Sequence, residues 1–271
     1  MNTAKLSVMM CVYGGDNAEH FNEALASVFN QTRLPDEMVL VVDGPVPTEI
    51  DDVIAVYVER HGIKVIRLPE NRGHGEARRE GFRHCTHEFV AIADADDINM
   101  PTRFEKELAV LVSDAEIGAV SSACVHFTGT TDNVLNEEFM PLAHDDIVRY
   151  MKKRCPICQA SVMLRRSFVL LAGGYQDWYY AEDYYLWVRM YLAGAKFANL
   201  EDGLLYLRTD EAQIGRRGGY RYFKSMRDLF RFMRRNKIIG FTTYCYNVMT
   251  RFVMQVLMPA RLRAWVRKKL L

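Results

Sequence analysis

The sequence lacks the segments that carry a chain into or across a membrane. It contains no run of about 18 uncharged apolar residues, so it predicts no membrane-spanning helix. The first ten residues hold no long apolar core of the kind that secretory signals have. The six cysteines are scattered along the chain and suggest no export. We therefore expect a cytoplasmic protein with reduced thiols.

Several common binding and catalytic motifs are also missing. No G-x-x-x-x-G-K-[ST] loop is present, which argues against a P-loop enzyme. Cys155 and Cys158 form a lone C-x-x-C, and without a second pair they favour neither a structural zinc site nor a thioredoxin-like motif. Apolar residues make up 49% and charged residues 25% of the 271 positions. These values predict a large globular domain, with or without an extension.

Acidic residues are nearly absent from the C-terminal fifth of the chain. Residues 216–271 carry fifteen Lys and Arg and a single acid, Asp228, whereas residues 1–215 carry 20 basic and 33 acidic residues. A basic tail on an acidic body predicts contact with a polyanion. Interleaved aromatic residues favour the anionic inner face of a membrane, and the acidic body argues against nucleic acid. The predicted membrane residues are Arg216, Arg217, Arg221, Lys224, Arg231, Arg234 and Arg235. A solvated helical face is the alternative.

Short apolar strands alternate with helices in the first hundred residues, a pattern typical of a parallel α/β sheet. Strands are predicted at 6–10, 38–42, 64–68 and 89–93, and helices at 17–29, with Asn17 as the cap, at 50–58 before Gly62, and at 75–84. Ligands bind such sheets at the carboxyl ends of the strands. Asp43, Asn71 and Asp94 lie at or just past these ends.

The second half of the chain is less regular. Strands are predicted at 117–127, 161–165 and 204–207, and helices at 182–192 and from Tyr220 onward. Pro259 interrupts the last helical segment. The apolar stretch 238–258 contains Arg251 and several hydroxyl groups, so we expect it to lie at an interface rather than to span a membrane.

Three carboxylates follow the fourth strand within four residues, at Asp94, Asp96 and Asp97. Their mutual repulsion costs stability unless a cation offsets it. Oxygen ligands suit Mg²⁺ or Mn²⁺, which also hold substrate diphosphates. The alternative is a solvated acidic turn.

The segment Ala93–Asp97 resembles the D-x-D motif of glycosyltransferases with the GT-A fold, most closely the inverting enzymes of family 2 that build bacterial polysaccharide repeat units. Other segments match this family in order over residues 5–210. They are Ser7–Tyr13, Ala24–Thr32, Asp43, Asn71-Arg72-Gly73, Ala77-Arg78, Pro101, Arg103, Gly173-Gly174-Tyr175 and Glu182-Asp183. Cys11 stands where many members have proline.

The resemblance implies a Rossmann-like, mostly parallel sheet flanked by helices over residues 1–215, and the charge pattern predicts basic amphipathic helices after it. Residues 1–100 would bind the nucleotide sugar, 101–215 the acceptor, and 216–271 the membrane. The implied donor-binding residues are Val12, Tyr13, Asp43, Asn71, Gly73, Arg78, Asp94, Ala95 and Asp96. Asp96, with Asp94 and Asp97, would hold Mn²⁺ or Mg²⁺.

The resemblance also implies the catalytic residues. Asp183, beside Glu182, matches the general base that takes the proton of the acceptor hydroxyl as this oxygen attacks the anomeric carbon. The preceding aromatic residues, Trp178, Tyr179 and Tyr180, either stack on acceptor sugars or belong to the core.

The expected function is transfer of one sugar from a nucleotide sugar, taken as a UDP-sugar, to a lipid-linked saccharide at the inner face of a bacterial membrane. The chain lacks the Gln-x-x-Arg-Trp segment of processive polymerases, which favours single addition. Alternatives are a non-catalytic nucleotide-sugar-binding protein, a polyprenyl-phosphate glycosyltransferase and a haloacid-dehalogenase-like phosphatase. The phosphatase is disfavoured because its Asp pair follows the first strand. The donor sugar, the linkage and the oligomeric state stay open.

Overall fold

The computed structural model describes residues 4–209 and 218–259. Within them, nine strands form one sheet: β1 (Leu6–Tyr13), β2 (Glu37–Asp43), β3 (Lys64–Arg67), β4 (Phe89–Asp94), β5 (Ile98–Asn99), β6 (Ile117–Thr128), β7 (Thr130–Glu138), β8 (Met163–Arg165) and β9 (Lys196–Arg208). The helices are α1 (Ala18–Phe29), α2 (Thr48–His61), α3 (His74–His84), α4 (Arg103–Ser113), α5 (His144–Met151), α6 (Arg166–Leu171), α7 (Glu182–Leu192), α8 (Tyr220–Arg235) and α9 (Phe241–Phe252). A 3₁₀ turn covers Gln159–Ser161, and a π turn, Val253–Leu257, follows α9.

The sheet has the order β3-β2-β1-β4-β8-β6-β9-β5, with β7 paired to β6. The first four strands are parallel, which confirms the predicted α/β pattern, and the second half mixes parallel and antiparallel pairs. Tyr13 is in register with Asp43, and Cys11 with Asp94. The carboxyl ends of β1, β2 and β4 therefore meet at one edge of the sheet.

The helix boundaries in the first half follow the predicted signals. The side chain of Asn17 accepts a hydrogen bond from the backbone N–H of His20 at 3.0 Å and caps α1. Phe21, Leu25 and Val28 are buried along one side of that helix. Gly62 ends α2 with a φ of +63°, a left-handed conformation that glycine adopts without a steric penalty.

The second half differs more from the prediction. The last strand of the sheet, β9, begins at Lys196 instead of 204, because its pairing with β6 continues through buried residues such as Phe197 and Leu205. The strand β7 was not predicted, since most of its side chains are exposed and polar and give no apolar alternation. Short helices α5 and α6 were also missed, and the predicted strand 161–165 begins at Met163.

The helix α8 is part of the protein core. It buries Tyr222, Phe223, Met226, Leu229, Phe230 and Met233. All of these except Phe223 belong to the same apolar cluster as Trp187 on α7. Tyr222, Phe223 and Phe230 are among the interleaved aromatic residues from which a membrane interface was predicted. Because their rings pack against the body of the protein, they are not available to lipid.

None of the helices in the described part of the chain is both long enough and apolar enough to cross a membrane. The stretch 238–258 is divided: Ile238 and Ile239 are buried, and α9 and the π turn then follow Gly240.

A buried polar network holds the strand that precedes the acidic cluster. Arg103 and Glu107 on α4 are completely buried, and the guanidinium Nε lies 3.2 Å from a carboxylate oxygen. The same guanidinium donates to the carbonyls of Ile92 at 2.9 Å and Val162 at 3.2 Å. Asn99 accepts a further bond from Arg103. The network thus ties α4 to β4, to β5 and to Val162, the residue before β8.

Replacing Arg103 by leucine should leave the carboxyl group of Glu107, whose pKa burial already raises to about 8, without its cationic partner. We expect the free energy of unfolding to fall by about 3–5 kcal/mol, the usual result of breaking a buried ion pair from one side. Urea denaturation followed by circular dichroism measures the change. The double variant Arg103→Leu/Glu107→Leu should recover a large part of the loss, because no charge then stays buried.

The matched control is Lys106→Leu on the same helix. Its amino group pairs with Asp202 at 2.5 Å, and the two side chains are 42% and 49% exposed. An exposed pair contributes at most about 1 kcal/mol. Equal destabilisation by Arg103→Leu and Lys106→Leu would contradict the central place of Arg103 in the network.

Candidate active site

Asp43, at the end of β2, fixes the loop that leads into α3. Its two carboxylate oxygens accept hydrogen bonds from the backbone N–H groups of Arg72 at 2.7 Å and Gly73 at 2.9 Å. Gly44 has a φ of +85°, and a Cβ there would lie 2.6 Å from the backbone nitrogen of Asn71. The close approach of the two loops therefore requires glycine at position 44.

The other residues predicted to bind the nucleotide lie around this loop. Val12 is buried in β1, whereas Tyr13 is half-buried and its ring centre lies 6.4 Å from that of His74. Asn71 is exposed, and Gly73 directly precedes α3 with a φ of +82°. The structure thus brings Tyr13, Asp43 and the 71–73 loop together at one edge of the sheet.

The three carboxylates of the acidic cluster have different surroundings. Asp94 is half-buried and pairs with Arg78, and Asp96 is half-buried in the turn beyond Ala95. Asp97 is buried and accepts a hydrogen bond from the backbone N–H of Arg208 at 2.8 Å. Burial, reinforced by the neighbouring charges of Asp96 and Asp94, raises the pKa of Asp97 well above its usual range.

Arg208, at the end of β9, holds the acidic turn and was missed by the sequence analysis. Its guanidinium donates to the backbone carbonyl of Asp96 at 2.9 Å and to that of Gly129 at 3.0 Å. It also forms an ion pair with Glu23 on α1 at 2.6 Å. No local motif marks this arginine, because its partners lie far away along the chain.

The carboxylate oxygens of the acidic turn are of the type that binds a divalent cation together with the phosphates of a substrate. No group of three or more His, Cys, Asp or Glu side chains within residues 4–209 and 218–259 is arranged to hold a metal ion. Mg²⁺ is usually held by one or two carboxylates together with water and substrate phosphates. The pKa of Asp97 is raised first by burial and then by the charges of Asp96 and Asp94, and a cation would offset that negative charge. A metal at this turn would therefore be held by one or two of these carboxylates and would need water and a diphosphate to complete its coordination.

Arg78, on α3, connects the acidic cluster to the start of α7. Its guanidinium nitrogens lie 2.7 Å from Glu182 Oε1 and 3.1 Å from Asp94 Oδ1, and its side chain is only 10% exposed. Burial alone would lower the pKa of Arg78, but the carboxylates of Asp94 and Glu182 outweigh it and raise that pKa. The residue predicted to clamp the nucleotide is thus a charged bridge between the two halves of the site.

Asp183 lies beside this bridge at the start of α7. Its carboxylate is half-buried, and Oδ2 lies 3.9 Å from the Cys155 sulfur. The hydroxyl of Tyr184 donates to the backbone carbonyl of Met151 and anchors the first turn of α7. A Cβ on Gly75 would lie 3.1 Å from the Cα of Asp177, so α3 packs tightly against the segment before α7. The structure therefore brings Asp94, Arg78, Glu182 and Asp183 into one continuous cluster.

The aromatic residues before α7 divide between two roles. Trp178 donates from its indole nitrogen to the carbonyl of Ser225 at 3.2 Å, and Arg221 stacks 4.0 Å above the ring of Tyr179. Both side chains join α7 to α8 and belong to the packing. Tyr180 is 42% exposed and has a φ of +52°. Of the three, it is the one whose ring is most open to a ligand.

The predicted membrane residues on α8 lie on its exposed side. Arg221, Lys224, Arg231, Arg234 and Arg235 are exposed, and Arg231 pairs with Asp228 at 3.2 Å. Arg216 and Arg217 lie outside the described residues.

The chain resembles known proteins along most of its length. It matches the model for glycosyl transferase family 2 over residues 7–171. It is 32% identical over 263 residues to the amylovoran biosynthesis glycosyltransferase AmsE of Erwinia amylovora, covering 97% of this chain and 98% of that protein. It is 30% identical over 271 residues to the UDP-Gal:alpha-D-GlcNAc-diphosphoundecaprenol beta-1,3-galactosyltransferase of Escherichia coli, covering 100% of this chain and 98% of that protein.

Two solved structures are similar in fold. S. aureus TarS 1-349 in complex with UDP-GlcNAc has a TM-score of 0.66 at 16% identity, over 97% of this chain and 79% of that chain. The mannosyltransferase PcManGT from Pyrobaculum calidifontis, in complex with GDP-Man and Mn²⁺, has a TM-score of 0.65 at 17% identity, over 97% and 74%. These similarities confirm the predicted GT-A-type fold.

Replacing Arg78 by leucine should destabilise the protein even when no nucleotide is present. We expect the free energy of unfolding to fall by about 3 kcal/mol, because Glu182, only 12% exposed, loses its cation, while Asp94, 31% exposed, keeps more contact with water. The control is Arg79→Leu, the next residue on α3. Its side chain is 41% exposed and pairs with Glu76 within the helix, so the loss should stay below about 1 kcal/mol.

Thermal and urea denaturation of the ligand-free variants measure both changes. An arginine that served only to grip a nucleotide would leave the ligand-free protein as stable as before. Unchanged stability of Arg78→Leu would therefore contradict the bridge.

Proposed function

Since the chain belongs to glycosyl transferase family 2, we propose that it transfers one sugar from a UDP-sugar to a lipid-linked saccharide in bacterial polysaccharide synthesis, with inversion at the anomeric carbon. One observation carries the proposal: the acidic turn after β4 and the Glu182-Asp183 pair share the buried cation of Arg78. In this proposal one guanidinium holds the donor-binding turn and the base-carrying start of α7 next to each other. The E. coli relative, named for transfer from UDP-Gal to a diphosphoundecaprenol-linked sugar, supports the substrate classes.

The donor nucleoside is assigned to the edge formed by Val12, Tyr13, Asp43, Asn71 and Gly73. The carboxylate of Asp43 keeps the 71–73 loop in place and so shapes this pocket. The diphosphate and the ribose lie in this proposal over Asp94, Ala95 and Asp96, where β4 ends. Ligands occupy the corresponding edge in other open α/β sheets, which supports the assignment.

Mn²⁺ or Mg²⁺ is assigned to Asp96, with Asp94 and Asp97 beside it. When bound, such a cation neutralises charge on the departing nucleoside diphosphate. The Mn²⁺ complex of PcManGT, a protein of similar fold, supports the use of a divalent metal. Arg208 maintains the turn that presents these carboxylates.

Asp183 is assigned as the general base. Glu182 is held by Arg78 at 2.7 Å, and the match of Asp183 to the general base of the family supports Asp183 as the proton acceptor. As the acceptor hydroxyl oxygen forms its bond to the anomeric carbon, the bond from that carbon to the diphosphate breaks on the opposite face. The hydroxyl proton passes to Asp183.

The acceptor carries a lipid, so we place the reaction at the inner face of the cell membrane. Exposed basic residues on α8 would be attracted to anionic headgroups there. The division into a donor half, 1–100, an acceptor half, 101–215, and a membrane-associated segment, 216–271, is part of the same proposal.

Replacing Asp183 by asparagine should abolish transfer but preserve donor binding. Removal of a general base costs about 10²–10⁴-fold in rate. Transfer of radiolabelled sugar to a synthetic lipid-diphosphate saccharide measures the rate, and calorimetric titration with UDP measures binding. Asp52→Asn, an exposed aspartate on α2, serves as the control and should retain full activity.

Loss of donor binding together with transfer in Asp183→Asn would remove Asp183 from the role of base. Donor binding by the wild type without transfer to any lipid-linked acceptor would favour a non-catalytic binding protein instead.

Transfer should also depend on a divalent metal. We expect EDTA to abolish it and Mn²⁺ or Mg²⁺ to restore it. Asp96→Asn removes one anionic oxygen and should raise the metal concentration needed for half-maximal rate by about tenfold or more. A titration of the rate against Mn²⁺ for wild type, Asp96→Asn and Asp52→Asn measures this shift. Full activity of the wild type in EDTA would contradict the metal assignment.

A further inference from the structure

The surface formed by α9, the π turn after it and the segment after α5 exposes apolar and basic side chains next to one another. Tyr246, Met249, Val253 and Leu257 follow each other at intervals of three or four residues, the spacing of one side of a helix. Their exposed fractions are 58%, 62%, 44% and 62%. Together with Lys152, Lys153 and Arg154, we call them the basic–apolar face.

Specific contacts hold the basic segment against the helix. The buried side chain of Asn247 donates to the backbone carbonyl of Lys152 at 2.8 Å. The ammonium of Lys153 lies 5.4 Å from the ring centre of Tyr246. Arg251 donates to the carbonyl of Lys153 at 3.4 Å. The cations therefore stand at a fixed edge of the apolar stripe.

The charge of this face has one sign. No aspartate or glutamate occurs from Asn236 to Pro259. Among the described residues, no ion pair joins Lys152, Lys153, Arg154 or Arg251 to a carboxylate. Exposed apolar side chains with a cationic edge are typical of surfaces that lie on anionic lipid. Two copies of this face would repel each other, which argues against a dimer.

The same face borders the proposed general base. Met151, just before the basic segment, accepts a hydrogen bond from the Tyr184 hydroxyl on α7. Cys155, just after it, has its sulfur 3.9 Å from Asp183 Oδ2. The cations at 152–154 are thus held between two contacts with the first turn of α7.

We propose that the basic–apolar face docks on the anionic bilayer that carries the acceptor. Met249, Val253 and Leu257 enter the headgroup region, and Lys153 and Arg154 contact the lipid phosphates. This docking turns the start of α7 toward the membrane, where a lipid-linked saccharide reaches Asp183. The orientation rests on the proposed function, but the docking does not, because it requires neither donor nor acceptor.

Cosedimentation of the full chain with phosphatidylcholine vesicles containing phosphatidylglycerol tests the proposal. The wild type should bind these vesicles, bind pure phosphatidylcholine more weakly, and lose affinity as salt is raised. The double variant Lys153→Glu/Arg154→Glu should lower the partition coefficient by about tenfold or more. Its matched control, Lys5→Glu/Lys64→Glu, changes the net charge equally at the amino ends of β1 and β3 and should bind like wild type.

The apolar part is tested separately. Met249→Ser/Leu257→Ser should also lower the partition coefficient severalfold, because less apolar area is buried in the interface. Leu170→Ser/Leu171→Ser is the control, since these leucines are 49% and 69% exposed on α6, which bonds at its start to Glu88 before β4. Circular dichroism and thermal denaturation confirm that each variant is folded.

Three results would overturn the proposal. One is unchanged vesicle binding by both the charge-reversed and the apolar variants. Another is loss of binding in Lys224→Glu/Arg235→Glu on α8 while Lys153→Glu/Arg154→Glu still binds like wild type, which would place the membrane contact on α8. The third is a dimer in solution that Met249→Ser/Leu257→Ser dissolves.

Transfer to a short, water-soluble acceptor should persist in Lys153→Glu/Arg154→Glu. If the wild type does not transfer sugar to this soluble acceptor, the result counts against the proposed function. The vesicle experiment still tests the docking, because it requires no transfer.

Discussion

A buried guanidinium, that of Arg78, joins the acidic turn at the end of β4 to the first turn of α7. Arg78 reaches Asp94 at the end of β4 and Glu182 at the start of α7, residues that lie 16 and 104 positions away along the chain. A buried cation between two carboxylates is stable only as a complete set, because removal of one partner leaves an uncompensated charge. The relative position of the acidic turn and the α7 carboxylates therefore depends on this arginine.

Other polar contacts limit the movement of the loops around that bridge. Asp43 holds the 71–73 loop through two backbone N–H groups, and Arg208 holds the acidic turn through the carbonyl of Asp96. Arg103, paired with Glu107, donates a hydrogen bond to the carbonyl of Ile92 in β4. Each of these groups acts on backbone atoms or on a buried partner, so the carboxylates of the acidic turn and of the first turn of α7 are positioned before any ligand arrives. Such preorganisation is what transfer chemistry requires of an active site.

Much of the first half of the fold was predictable because its signals are local. The Asn17 cap, the Gly62 stop and the apolar runs of β1, β2 and β4 each depend on neighbouring residues. The order and spacing of the family motifs pointed to the residues that the structure gathers at one edge of the sheet.

Long-range partners were not predictable from the sequence. Arg208 lies more than 100 residues from the turn it holds, and nothing near it marks that role. The aromatic residues of α8 gave an interfacial pattern, yet Tyr222 and Phe230 pack into the cluster around Trp187. An amphipathic pattern shows that a helix buries one side. Whether protein or lipid covers that side depends on the tertiary structure and cannot be read from the helix alone. The exposed apolar residues of α9 were a weaker sequence signal for an interface than the aromatic residues of α8, yet they are the ones that the fold leaves uncovered.

The configuration of the sugar in the product tests the central claim most directly. The purified protein is incubated with Mn²⁺, a panel of nucleotide sugars and a synthetic lipid-diphosphate saccharide, and the product is examined by ¹H NMR. We expect a single added sugar whose anomeric configuration is opposite to that in the donor, as direct displacement with Asp183 as base requires. A product with retained configuration would contradict this mechanism, and release of free sugar without an acceptor product would contradict the assigned transfer.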